Sequence, residues 1–170
     1  MDLERRLAED KEELARKWYD LLLGAYPPET QKIWKAQLDG FQNPVGETMK
    51  EATAKLVGLI LSWDDAAAIG HELDRIIKIR AVQDFKPSQA LAFVFQFKKL
   101  LRDTYLDEVK KSGEWDALLG QEAKIDNLAL MALDIYCKCR QQVFDLKVAE
   151  IKRAQHNLLI RANMIVGNPA

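Results

Sequence analysis

Histidine and cysteine, the residues that most often build metal and nucleophilic sites, are scarce, with only 2 of each in the chain. His71 and His156 lie far apart, and neither has a His or Cys neighbour at a zinc-binding spacing. His71-Glu72 lacks the second histidine that a metalloprotease helix needs. Cys137 and Cys139 sit two residues apart in a helical pattern. Their side chains therefore point to different sides and can neither bridge each other nor clasp one metal. The sequence has no glycine-rich phosphate loop, no nucleophile elbow and no CxxC pair. Acidic pairs such as Glu12-Glu13 and Asp64-Asp65 fall at helix starts or exposed positions, where capping and solvation account for them. Together these absences point away from an enzyme, a metal protein or a cofactor carrier.

Charge of one sign is also missing. The formal net charge is -1, so no overall basic field exists to hold nucleic acid or an anionic membrane. Lys98, Lys99 and Arg102 form a local basic cluster, expected to be a solvated helix face. Apolar runs such as Leu128 to Leu133 are too short to span a bilayer. With neither a signal peptide nor a disulfide framework, a cytoplasmic protein is expected.

What the chain does have is helical periodicity. Its 170 residues, 48% hydrophobic and 30% charged, suit one domain with a real core. No alternating strand pattern competes, so the expected class is all-α. A first helix is expected from about Asp2 to Gly24, with Leu7, Leu14, Trp18, Leu21 and Ala25 on one stripe. Pro27-Pro28 ends it and starts a short second helix carrying Ile33, Trp34 and Leu38, which Gly40 closes. Asn43-Pro44 gives an N-cap followed by proline at the first helical position. Met49, Ala52, Leu56, Leu59 and Trp63 face inward on the third helix. Ser62, Asp64 and Asp65 mark the start of the fourth, which carries Ile69, Leu73, Ile76 and Ile77 and ends near Phe85. The fifth opens at Pro87-Ser88 and ends at Ser112-Gly113. It is apolar on most sides, from Leu91, Phe93, Val94, Phe95 and Phe97 to Leu100, Leu101 and Tyr105, so it is expected to be central and buried. The helical neighbours of Phe93 include no basic residue. The tryptophans at Trp18, Trp34, Trp63 and Trp115 fall at or near apolar stripes and are expected in the core.

The sixth helix is unusually long. From Glu114 to about Val166 only Gly120 interrupts, which spans about 80 Å if straight. Residues Leu118 to Cys139 are densely apolar. Beyond them the stripe narrows to Phe144, Val148, Ile151, Gln155, Leu158, Ala162 and Ile165, in steps alternating between four and three. Such a seam needs a partner helix, and a second copy of the chain is the expected partner. Gln155 in the seam suits a register-setting position. The expected organisation is a sensory domain over residues 1-143 and a coiled-coil-like extension over 144-170, continuous with the last helix. The competing expectation is a break near Lys147, with the distal part folded back on the domain.

The segment from Ile79 to Ala90 reads as a helix end, a tight corner and a new helix. Arg80, Gln83, Asp84, Pro87 and Ser88 place polar groups there. They either cap the fourth helix and tie down the corner, or form a patch that meets a ligand or partner. With Ala15-Arg16-Lys17-Trp18-Tyr19 in the first helix and Asn43-Pro44-Val45-Gly46 before the third, this corner resembles the N-terminal domain of RsbR-type stress regulators, the RsbRD-like group. The resemblance covers roughly residues 5 to 140. It implies a globin-like fold without haem, a homodimer, and a last helix directed toward an output domain, commonly a STAS domain in a stressosome-like signalling complex. The chain ends at Ala170 without such a domain, which leaves open a stand-alone sensor or a piece of a longer regulator. Globin-coupled haem sensors are similar in helix order and carry a proximal histidine about two turns before the proline corner. Counting back from Pro87 reaches Arg80, a poor iron ligand. The alternative is a haem or small-ligand protein using His71, over two turns further back.

Overall fold

The computed structural model describes residues 2-36, 43-83 and 85-162. Among them it contains only helices: α1 (Leu3–Glu9), α2 (Lys11–Leu23), α3 (Pro28–Lys35), α4 (Pro44–Ser62), α5 (Ala66–Ala81), α6 (Pro87–Ser112) and α7 (Trp115–Arg161). None of these helices is long and apolar enough to cross a membrane. Leu38, Gly40, Asp84 and Ile165 lie outside the described residues.

Local chemistry sets the helix ends. Asn43 caps α4 by accepting from the Gly46 N–H at 3.1 Å. A Cβ at position 46 would come within 2.5 Å of the Asn43 amide, so this cap requires glycine. Asp65 caps α5 by accepting from the Ala68 N–H at 2.8 Å. Pro28, Pro44 and Pro87 each occupy the first helical position. Gly113, with φ 80°, closes α6 in the left-handed conformation.

The expected first helix is two helices. It breaks at Asp10, whose carboxylate accepts from the Tyr105 hydroxyl at 2.9 Å and pairs with Arg6 at 3.0 Å. This fixed anchor to α6 holds Asp10 out of helical geometry. The turn also rotates the inward stripe of α2. Leu22, Leu23 and Tyr26 are buried, while Leu21 and Ala25 face out. The expected fourth helix, here α5, stops at Ala81 rather than near Phe85. Trp115 is exposed instead of buried.

The core lies between α2, α4, α5, α6 and the first half of α7. At its centre Trp18 is fully buried, stacks on Phe97 at 4.4 Å between ring centroids, and donates its indole N–H to the Phe93 carbonyl at 2.7 Å. α6 is central but not apolar-buried all round. Phe93, Val94, Phe97, Leu101 and Tyr105 are buried, whereas Phe95 is 54% exposed.

α7 contributes Leu118, Ile125, Leu128, Ala132, Tyr136 and Cys139 to the core and then leaves it. No residue from Arg140 to Arg161 is buried, yet the helix continues unbroken. Among the described residues there is therefore no break near Lys147 and no folded-back segment. The 47 residues of α7 span about 70 Å. Two cations fix it to the ends of earlier helices, where carbonyls lack helical partners. Lys124 donates to the Leu61 carbonyl at 2.8 Å and Arg140 to the Ala81 carbonyl at 2.9 Å.

Candidate functional site

The corner divides into an inner and an outer part. Arg80 goes in and is 1% exposed. Its guanidinium sits among three aromatic rings, 4.8 Å from the centroid of Phe85, 5.4 Å from Tyr26 and 5.7 Å from Phe93. One terminal nitrogen donates to the Gln89 carbonyl at 3.1 Å and the other reaches the Leu22 carbonyl at 3.5 Å. Its Nε has no hydrogen-bond partner among the described residues. Burial draws the guanidinium below the ordinary arginine value, against the opposing influence of Tyr26. Arg80 thus joins the end of α2 to the first turn of α6, beside the end of its own helix. Gln83 is half-buried and accepts from the Tyr26 hydroxyl at 2.9 Å. Burial pushes the Tyr26 hydroxyl up.

Pro87 and Ser88 go out. They line an open groove of about 610 Å³ between α6 and α7, with Leu91, Phe95, Lys99 and Leu133. A neighbouring groove of about 460 Å³, toward α2, shares Gln96 and Lys99 and adds Leu21 and Leu100.

The other two segments behind the family resemblance meet on the far side of α2. Tyr19 donates to the Gly46 carbonyl at 3.3 Å, and its burial raises the hydroxyl to about 12. Asn43, besides capping α4, donates to the Trp34 carbonyl at 3.2 Å. Tyr19, Trp18, Gly46 and Arg80 are each committed to holding helices together.

His71 lies on the outer side of α5, with its side chain 71% exposed and its ring against Glu72. It presents no imidazole to the interior. Among the described residues, no group of three His, Cys, Asp or Glu lies close enough to hold a metal ion. Cys137 is exposed and Cys139 buried, on different sides of α7 as their spacing requires.

The seam residues form an exposed row along the outer half of α7. Phe144, Ile151 and Leu158 are 61%, 57% and 63% exposed. Val148 is half-buried, and Gln155 and Ala162 are exposed. No other part of the described chain covers them.

The basic cluster on α6 is a largely exposed face, with Lys99 and Arg102 exposed and Lys98 half-buried, and two of its three cations are paired. Arg102 holds both oxygens of Glu122, one at 2.7 Å, and Lys98 bonds Asp126 at 2.9 Å. Glu122 is itself buried, and its bond with Arg102 holds the carboxyl below the usual range despite burial. Glu72 is buried on α5; burial alone would raise it, but hydrogen bonds from Arg75 and His71 and the charge of Lys55 bring it lower. A carboxyl depressed in the folded state contributes stability above its unfolded value, and that contribution is lost as pH falls through the folded value. Stability is therefore expected to hold steady from neutral pH to about 5 and to fall below about 4. Glu122→Gln is expected to cost about 2 kcal/mol at pH 7, since Arg102 is half-exposed, and distinctly less at pH 3, where protonation of the carboxyl has begun to remove its contribution. Urea denaturation at the two pH values checks this, and equal losses at both would refute it. The signal for this clamp was a carboxylate on the buried stripe of α7, between Leu118 and Ile125.

Residues 12–150 match the family described as the RsbT co-antagonist protein rsbRD N-terminal domain. The chain belongs to this family. No curated protein and no solved structure matches it. The rsbRD N-terminal family is one of signalling regulators rather than of enzymes. The match takes in the body from the first turn of α2 onward, all three segments behind the resemblance, and α7 to a point past its departure from the core, and leaves out α1. Among the described residues, this rsbRD N-terminal domain is all-α with a long last helix.

Proposed function

We propose that this chain is a homodimeric, non-haem, globin-like sensory and regulatory module of bacterial signal transduction, acting in the cytoplasm within a protein signalling complex. Residues 1-143 form the body that takes up a signal. Residues 144-170 form a stalk that pairs with a second copy through Phe144, Val148, Ile151, Gln155, Leu158, Ala162 and Ile165. The signal alters the pairing or register of the two long helices, which requires two arrangements that differ by a few kcal/mol. The observation that carries this reading is the row of exposed apolar side chains on α7 after its last core residue, Cys139. An apolar row on a helix that has left the core has nothing in its own chain to bury it among the described residues, and a partner helix would bury it. The non-haem part is supported by the outward His71 and by Arg80, which fills the interior between α2 and α6.

The test is Leu158→Glu. It puts a carboxylate in the seam, where desolvation opposes pairing, and Arg161 three residues on softens the charge without restoring the packing. Sedimentation is expected to give a dimer for the unaltered protein and a monomer for the variant at micromolar concentrations. The melting of the body should stay unchanged, with helicity lost only in the stalk. A monomeric unaltered chain would sink the proposal.

A further inference from the structure

We infer that the cleft between the α1–α2 turn and α6 is a binding site for a small zwitterion, a molecule of amino-acid size that carries both a carboxylate and an ammonium group. The site names the class of signal that the body takes up. What its occupancy means rests on the sensory reading above; the binding itself does not.

The charges come first. Arg6, Asp10, Glu13 and Lys17 follow one another at steps of four, three and four. The Asp10 N–H donates to the Arg6 carbonyl at 3.0 Å and the Leu14 N–H to the Asp10 carbonyl at 2.9 Å. The chain therefore keeps close to helical spacing across the turn, and the four side chains share one side. All four line the cleft, over Leu14 and facing Thr104 and Tyr105 of α6. Their order is cation, carboxylate, carboxylate, cation. Two charges of each sign cancel, so a ligand with a net charge gains little from the cleft as a whole. Separated charges of both signs on one molecule each find an opposite.

Arg6 is the loose member of the set. Its Nε is buried and has no hydrogen-bond partner among the described residues, although Asp10 Oδ2 lies 3.0 Å away. The pair is thus one of charge and not of hydrogen bonds. That same oxygen is already held by the Tyr105 hydroxyl at 2.9 Å, from a side chain that is itself buried. The guanidinium, 41% exposed as a side chain, therefore keeps its fork for a carboxylate. Arg102 differs, because it spends its fork on Glu122. The acceptors lie beside it. The Thr104 hydroxyl donates to the Leu100 carbonyl at 2.8 Å, which leaves its oxygen free to accept. With Glu13 and the second Asp10 oxygen it can receive the protons of an ammonium group.

The cleft holds about 230 Å³, which suits a molecule of amino-acid size and falls below the roughly 300 Å³ at which drug-sized pockets begin. Occupancy reaches α7 through α1. Arg6 is in the last turn of α1, while the Leu3 N–H at the other end donates to the carboxylate of Glu114, the N-cap residue of α7, at 3.0 Å. A ligand that joins Arg6 to α6 fixes the helix that holds the start of α7.

The experiment uses the full chain, with calorimetric titration and thermal unfolding. The probes are the standard amino acids and γ-aminobutyrate, with acetate and methylammonium as the separate halves. At least one zwitterion is expected to bind and to raise the melting temperature by about 3–5 °C at about ten times its dissociation constant. Neither half should do so at the same concentration. Arg6→Gln is expected to weaken binding roughly 30-fold or more and Thr104→Val roughly 5-fold. Arg6 is half-buried and Thr104 exposed, so both variants should melt near the unaltered protein when no ligand is present. A chain that binds none of the probes, binding that persists undiminished in Arg6→Gln, or an equal response to acetate or methylammonium alone each overturns the site. Sedimentation of the same samples reads the dimer separately. A monomeric chain that still binds would sink the dimeric module proposed above and leave the site standing.

Discussion

Replacing Phe93 with lysine is expected to unfold the body completely, and replacing it with glutamate to do so less severely. Phe93 is 1% exposed and stacks beside the fully buried Trp18, with ring centroids 5.9 Å apart. Truncating such a ring costs about 3–5 kcal/mol before any charge is considered. An uncompensated buried charge adds several more, and together they approach the whole stability of an ordinary domain. The ordering of the two variants comes from Arg80. The helix around Phe93 has no basic residue, so from the sequence a glutamate there stands alone. The fold brings Arg80 from α5 to 5.7 Å from the Phe93 ring. A glutamate therefore finds a cation that is already desolvated, and a lysine finds a repelling one. Helicity by circular dichroism and guanidinium unfolding read the result. Equal damage from both charges would mean that Arg80 does not sense position 93.

The second large effect is at Arg80 itself. Arg80→Ala is expected to cost about 4 kcal/mol, because it leaves a void among three rings and removes both donors that join α2 to α6. Arg80→Met is expected to cost only about 1–2 kcal/mol. It refills the space with a flexible apolar chain, and the charge, already disfavoured by burial, is no longer missed. What remains is the loss of partners for the Gln89 and Leu22 carbonyls. Denaturant midpoints of the two variants decide between packing and charge. If methionine is as damaging as alanine, the guanidinium's hydrogen bonds hold the corner and the aromatic setting is incidental.

These two residues show where the sequence was legible. The apolar spacing on α4 and α5 and the cap at Asn43 are local signals, and the structure has them where the spacing puts them. The uninterrupted α7 was legible too, because nothing in it stops a helix. What was not legible depends on contacts across the chain. Asp10 breaks the first helix because a tyrosine 95 residues away takes its carboxylate. Phe95 looks like core by composition and lies on the outside, since only one side of α6 can face α2 and α7 at once. The corner looked like one polar patch. In three dimensions it separates, with Arg80 turned inward and Pro87 and Ser88 on the groove.

The fastening of α7 restricts what kind of movement can pass along it. Lys124 on the Leu61 carbonyl, Arg140 on the Ala81 carbonyl and Glu122 in the grip of Arg102 act as three rivets, two within one turn of each other near the start of the rod and one just past its middle. A piston stroke of one turn, about 5.4 Å, would shear all three together. A swing of the outer half about Arg140 strains only the last. The three contacts thus oppose sliding of α7 along the body, and the outermost of them lies where α5 ends, one residue from Arg80. The described part of α7 beyond Arg140 is an arm of about 30 Å, which would enlarge at its tip any small displacement of Ala81.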